Sequence, residues 1–280
     1  MPYVNLGCGN RLHPEWINID IASSSPQVIV HDLSRGIPLP DASCEVVYLS
    51  HILEHFRRGD ALTLVRECYR VMRPGGILRV AVPDLETICQ LYLTKLQAVL
   101  SGDSSRTKDY EWVMLEMYDQ AVRERSGGEM LSYLRQYPLP NEAFVYERIG
   151  EEGRSIVRSI KSQAIQQFAV SGWRAGLRRL VSRVRICLTR SLVLVSMGRK
   201  GVMALDIGMF RLAGEVHHWM YDRYSLKELL LTAGFRDSIQ QTASTSRTQN
   251  WSSFNLDTLP DGTVYKPDSL FMEATKPTEI

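Results

Sequence analysis

The sequence predicts an α/β chain built on a mostly parallel, doubly wound sheet, and three observations carry that expectation. Short, nearly continuous apolar runs alternate with helical or loop-like segments over residues 1–85, as expected of strands buried on both faces. These runs end on polar residues: Asp20, Asp32, Ser50 with His51, and Asp84. Beyond residue 85 the spacing changes to helical intervals and stays so for a long stretch.

YVNL from Tyr3 reads as the first strand and runs into Gly7-Cys8-Gly9. NRLHPEW is expected as a loop with at most one helical turn, because Pro14 interrupts it. WINID from Trp16 is the second strand and QVIVHD from Gln27 the third. CEVVYLS from Cys44 is the fourth, leading into Ser50 and His51. GDALTLVRECYRVM places Leu62, Val65, Cys68, Tyr69 and Met72 on one face of a helix. RPGG then stops it, since proline cannot continue a helix and the glycines permit a turn. ILRVAVPD from Ile77 is the fifth strand. Open parallel sheets bind ligands at the carboxyl ends of their strands, so Gly7 to Gly9, Asp20, Asp32, Ser50, His51 and Asp84 converge on one edge.

That edge has the chemistry of an adenosine site. The glycines let a ligand approach the backbone, with N–H groups free to donate. Asp20 can accept both hydroxyls of a ribose, and Asp32 can accept from an adenine amino group. A dinucleotide fingerprint needs a third glycine and an acid about 20 residues on; here Leu12 follows and Asp20 comes too early.

Composition narrows the class. With 44% apolar residues in 280, the chain can bury a substantial core. Five scattered cysteines without a CxxC pair argue against a disulfide framework or a structural zinc site and suit a reducing cytoplasm. The early first strand leaves no room for a signal peptide. The most apolar tract, ICLTRSLVLVSMG, contains Arg190 and is too short to span a bilayer.

VNLGCGN, HDLSRGIPLPDASCEVVYLSHILEHF and ECYRVMRPGGILRVAVPD resemble the motifs of class I S-adenosylmethionine-dependent methyltransferases, and YDRYSLKELLLTAGF is similar to the same group's penultimate helix. The resemblance covers roughly residues 3–85 and 215–276. It implies a Rossmann-like sheet of seven mostly parallel strands, S-adenosyl-L-methionine as donor, and methyl transfer to a nucleophilic atom. Carried over, Asn5, Gly7, Cys8 and Gly9 would line the methionine part of the donor. Asp20 would hold the ribose, Asp32 and Leu33 the adenine edge, and Ser50 or His51 would sit beside the sulfonium. Asn5 stands where that family usually has an acid, and Arg11 where it has a last glycine.

The expected organisation is a donor-binding core of residues 1–85 and 215–280 with an inserted helical region, residues 86–214, acting as a lid and acceptor-specificity element. TICQLYLTKLQAVL from Thr87 has helical spacing. Between Glu151 and Lys200 eleven Lys or Arg face two acids. The basic 154–200 segment therefore reads as a solvated helix face, as a match for an anionic or lipid-linked acceptor, or as a peripheral contact with an acidic membrane surface. Aromatic residues do not interleave with it, which disfavours nucleic acid.

His51, Glu54 and His55 lie at helical spacing on one face. With no fourth ligand in the local sequence, no metal is expected, and His55 reads as a structural histidine against the sheet. Cys8 reads as a small apolar residue. Ser225 with Glu228 reads as a capping box. Ahead of it, Glu215, His217, His218, Trp219, Tyr221 and Asp222 form an acceptor-side cluster, in which the aromatics serve equally well to seal the lid. A hydroxyl acceptor needs a general base, for which histidine suits: His51 or His217, with Asp222 orienting one of them. HHWMYDRYSL is similar to methyltransferases of bacterial surface-polysaccharide assembly, so the expected acceptor is a small molecule or glycan. The rivals are a nicotinamide-dependent dehydrogenase or epimerase and a non-catalytic donor-binding partner protein.

Overall fold

The computed structural model describes residues 2–166 and 177–278. Seven strands, β1 (Tyr3–Leu6), β2 (Ile17–Asp20), β3 (Val28–Val30), β4 (Cys44–Ser50), β5 (Met72–Pro83), β6 (Arg236–Gln241) and β7 (Ser269–Thr275), form one sheet in the order β3-β2-β1-β4-β5-β7-β6. The first five run parallel, and β7 is antiparallel to both β5 and β6. This is a Rossmann-like sheet with a reversed strand inserted near one edge.

The principal core lies between the sheet and helices α1 (Arg58–Val71) and α7 (Arg223–Thr232). Leu6, Leu49, Val65, Leu78, Leu226 and Phe235 are all fully or nearly fully buried there. α1 buries Ala61, Leu64, Val65, Cys68 and Val71, the stripe that its spacing dictates. The helix stops ahead of RPGG as expected, but the strand begins before Ile77. α1 ends at Val71, and β5 starts at Met72 and runs through Pro74 and Gly76. Gly76 is required there, because a Cβ would stand 2.9 Å from the Glu45 carbonyl oxygen on β4.

Between β5 and α7 lie α2 (Leu85–Leu100), α3 (Thr107–Val122), α4 (Gly128–Leu134), α5 (Glu142–Gln166) and α6 (Leu177–Arg211). Part of this region has its own small core of Trp112, Tyr133, Leu134, Val145, Ile149 and Val157. Helix α5 is broken at Gly150, whose φ is +55° and where a Cβ would meet Pro267 at 2.4 Å. That break lets the helix abut the segment leading into β7. Of the basic 154–200 segment, residues 167–176 and the side chains of residues 163–185 lie outside the described residues. No described helix is long and apolar enough to cross a membrane. The segment from Asn10 to Trp16 forms turns without a helix, as its Pro14 demands.

A buried polar knot underlies the sheet edge. Arg79, fully buried on β5, pairs with Asp257 at 2.8 Å and Glu273 at 3.0 Å. It also donates to the carbonyls of Thr242 and Thr245, and its guanidinium stacks 4.3 Å from the Trp251 ring centre. Tyr48 donates its hydroxyl to Asp257.

Candidate active site

The first strand-end loop is shaped by its glycines and is closed on itself. Gly7 has φ +63° and Gly9 φ +50°, conformations that L side chains rarely adopt. A Cβ on Gly7 would fall 1.9 Å from Ile52 Cδ1. The expectation that the loop presents free N–H donors is not met. Gly7 and Cys8 donate to the Ile19 carbonyl at 2.8 and 3.2 Å, and Gly9 donates to Asp20 Oδ2 at 2.8 Å. Asn5 is likewise engaged, giving its amide to the Arg11 carbonyl and to Asn18 Oδ1. The glycines therefore supply shape and close approach rather than a donor cradle.

Gly7, Asp20, Asp32, Leu33, Ile52 and His55 are among the residues around a cavity of about 650 Å³. Asp20 accepts from the N–H of Gly9 and of Ala22, which leaves roughly half of a carboxylate's lone-pair directions for a ligand. Asp32 caps a short turn by accepting from Ser34 N–H at 3.0 Å, and the Ser34 side chain first, then this N–H, hold its carboxyl below the usual range. It is thus both a cap and a wall of the cavity. A carboxylate at or just past each of two successive strand ends, beside a glycine that admits close backbone approach, suits the adenosine part of S-adenosylmethionine.

Gly7 also lines a second cavity of about 290 Å³ with Asn5, Cys8, Gly9, Ser50 and His51. Arg11, standing in place of a glycine, anchors this wall. Its guanidinium donates to the carbonyls of Asn255 and Thr258 and stacks 4.4 Å from the Tyr265 ring centre. That tie between the first loop and the segment before β7 was not legible in the sequence. Cys8 is 4% exposed and burial pushes its thiol up to about 11, so it is a neutral wall residue.

The third cavity, about 330 Å³, lies under the helices and brings His51, Glu54, His55 and His217 together. The shared helical face expected for His51, Glu54 and His55 is not what unites them. His51 has a left-handed backbone, φ +54°, and only Leu53 to His55 form a 3-10 turn. His51 Nδ1 lies 3.3 Å from Glu54 Oε1 and its Nε2 lies 2.8 Å from Ser269 Oγ. His217 arrives from the segment between α6 and α7, where His218 and Trp219 donate their N–H groups to the Glu54 carbonyl at 2.7 and 3.3 Å. Burial favours the neutral form of Glu54, but His51, His217 and His55 outweigh it and hold its carboxyl at about 2. Burial lowers His217 to about 3, which makes it a poor base near neutrality.

Three expectations need correction. Asp222 does not orient a histidine; its carboxylate is the N-cap of α7, accepting from Ser225 N–H at 2.7 Å. The capping box is Asp222 with Ser225, one turn earlier than Ser225 with Glu228, because the helix begins at Arg223. His55 is not a satisfied structural histidine, since its buried Nδ1 has no hydrogen-bond partner. Of the aromatics, Tyr221 belongs to the main core, while Trp219 is partly exposed with Arg58 4.6 Å above its ring.

Residues 5–80 match the family model of a methyltransferase domain. A probable S-adenosylmethionine-dependent methyltransferase of Mycolicibacterium smegmatis is 46% identical over 56 residues, which is 20% of this chain and 21% of that protein. A protein of the same description from Mycobacterium tuberculosis is 46% identical over 65 residues, 23% of each chain. The chain thus spans under a quarter of the length of these relatives. A solved S-adenosylmethionine-dependent methyltransferase from Thermotoga maritima aligns over 98% of this chain and 81% of its own, at 11% identity and a TM-score of 0.38, too distant to add to the topology itself. The matched segment runs from β1 into β5 and includes Gly7, Gly9, Asp20 and Asp32. Residues 5–80 thus match a methyltransferase domain and are similar to the corresponding stretch of S-adenosylmethionine-dependent methyltransferases, within a sheet of Rossmann-like order.

Proposed function

We propose that the chain transfers the methyl group of S-adenosylmethionine to a hydroxyl of a small-molecule or glycan acceptor in surface-polysaccharide assembly. The observation that supports this reading is the meeting of three cavities at one sheet edge. Gly7 borders the two on the donor side, and His51 and His55 border the one beneath the helices. The glycan assignment rests on the similarity of HHWMYDRYSL to polysaccharide methyltransferases. The basic 154–200 segment suits an anionic or lipid-linked form of such an acceptor at a membrane surface.

The sulfonium supplies an already activated methyl group. The chain must hold the acceptor in line, exclude water and take one proton. Asp20 holds the ribose, Asp32 and Leu33 meet the adenine edge, and Cys8 and Ser50 border the methionine part. His51 is the base: Nδ1 faces the Glu54 carboxylate at 3.3 Å, and Nε2, now beside Ser269 Oγ, takes the acceptor's proton. His217, too weakly basic, is not. The test is turnover of sugar-nucleotide and lipid-linked acceptors with labelled donor. His51→Ala should retain S-adenosylhomocysteine affinity while losing about 100-fold or more in kcat, the ordinary contribution of a general base. Unchanged turnover of an identified acceptor by His51→Ala would remove it from the mechanism.

A further inference from the structure

The acceptor-side cavity contains a constellation that methyl transfer as described above leaves unused. One ligand atom from each of Glu54, His55 and His217 lies within 4.8 Å of the others. Glu54 is fully buried, and neither of its carboxylate oxygens accepts a hydrogen bond. The buried Nδ1 of His55 is also without a partner, and His217 is only 5% exposed. A buried carboxylate is expected to be paired or to coordinate a metal. Neighbouring cations are committed elsewhere: Arg123 lies 2.7 Å from Asp119 and 2.9 Å from Glu215, and Lys266 lies 2.9 Å from Glu152. Among the described residues, only His51 Nδ1 reaches Glu54, at 3.3 Å and without hydrogen-bond alignment.

The arrangement is built rather than incidental. Backbone hydrogen bonds from His218 and Trp219 to the Glu54 carbonyl, and from His217 to the Gln120 carbonyl at 3.0 Å, fix the two segments against each other. The His55 and His217 rings stand edge to face with centres 4.7 Å apart. We propose that Glu54, His55 and His217 ligate a divalent first-row cation of the zinc–manganese–iron class, with His51 as the residue that positions the Glu54 carboxylate.

Two imidazoles and one carboxylate are a mixed nitrogen and oxygen donor set of the kind that holds such ions with coordination positions left open. The cavity of about 330 Å³ beside them gives those positions access to an acceptor. The role of the cation rests on the methyl-transfer reading; the site itself does not. As a Lewis acid it draws electron density from the acceptor's hydroxyl oxygen and makes the proton easier to remove. The proton passes to His51, the oxygen lone pair forms the new O–CH3 bond, and the C–S bonding pair returns to sulfur. The products are a methyl ether and the neutral thioether, and no oxidant or reductant is involved. A base needs only one histidine; His55 and His217, whose ring nitrogens share one space with the Glu54 carboxylate, have a use there as ligands.

The test uses the full chain stripped of metal with a chelator and titrated with cobalt(II), followed by visible d–d absorption, with zinc and manganese as competitors. The expected result is saturable binding of one ion per chain, displaced by zinc. Glu54→Gln and His217→Asn should each weaken it about 100-fold or more, and His51→Asn by about 10- to 100-fold, the range for a residue that orients a ligand. Each variant is checked by circular dichroism and by S-adenosylhomocysteine titration. Should the variants fail to fold, the wild-type spectrum still decides: no visible band and no saturable uptake overturns the proposal, as does binding that survives both ligand substitutions. S-adenosylhomocysteine binding without metal uptake removes the site alone. Metal uptake without S-adenosylhomocysteine binding removes the donor reading and leaves the site standing.

Discussion

Replacing Gly7 with alanine tests the claim that this loop works by shape. Two effects add. The residue sits at φ +63°, where an L side chain costs about 1–2 kcal/mol. The new Cβ would lie 1.9 Å from Ile52 Cδ1 and 2.5 Å from Cγ1, so Ile52 must leave its rotamer at about 0.5–1.5 kcal/mol. Together the loss of stability should be about 1.5–3.5 kcal/mol, or a fall in Tm of roughly 3–14 °C at 2–4 °C per kcal/mol. Ile52 lines the 650 Å³ cavity, so donor affinity should fall as well. The Ile52→Ala background separates the terms: there, Gly7→Ala should cost only the backbone part, and a double-mutant cycle by denaturant unfolding should give a coupling of about 0.5–1.5 kcal/mol. Zero coupling, or undiminished S-adenosylhomocysteine affinity in Gly7→Ala, would refute the close-approach argument.

Other consequences follow from the same structure. Arg79→Met strips the partner from buried Asp257 and Glu273, and should destabilise the chain by about 3–5 kcal/mol in urea unfolding. A loss under about 1 kcal/mol would mean the knot is not a buried ion pair. Asp109 is pushed up by burial, but Lys95 at 2.9 Å, Asn141 and Arg106 outweigh this and lower its pKa. A depressed carboxyl stabilises the fold above its unfolded value of 3.8 and loses that contribution as pH falls through the lower folded value. Asp109→Asn should therefore flatten the acid limb of the stability curve below about pH 4; an unchanged limb would contradict the assignment. Alkylation of the native chain at neutral pH should label Cys89 and Cys187, which are exposed, and spare buried Cys8, Cys44 and Cys68. Rapid labelling of Cys8 by mass spectrometry would show that its loop opens.

Local features carried the sheet and the donor side. CEVVYLS became β4 with the expected bounds, and Gly7, Asp20 and Asp32 sit at strand ends because apolar runs and their polar stops are written in adjacent residues. β5 starts earlier than its apolar run because Pro74, which donates no N–H, falls between Met72 and Ile77, where the ladder with β4 shifts register. Asp222 could cap or orient, and sequence alone does not separate the two; the backbone N–H groups of α7 claimed it. Glu54, His55 and His217 were legible singly but not as a group. Their meeting depends on the hydrogen bonds from His218 and Trp219 to Glu54, between segments that nothing local connects. Arg11 likewise made sense only once Asn255 and Thr258 were beside it.

The central claim is that this strand edge binds the adenosyl sulfur donor. Calorimetric titration of the wild-type chain and of Asp20→Asn with S-adenosylmethionine, S-adenosylhomocysteine and NAD tests it most directly. The account predicts that both sulfur compounds bind the wild type, that NAD does not, and that Asp20→Asn loses about 10- to 150-fold in affinity, the worth of a charged hydrogen bond. Binding of NAD alone, or equal affinity of Asp20→Asn for the sulfur compounds, would contradict it.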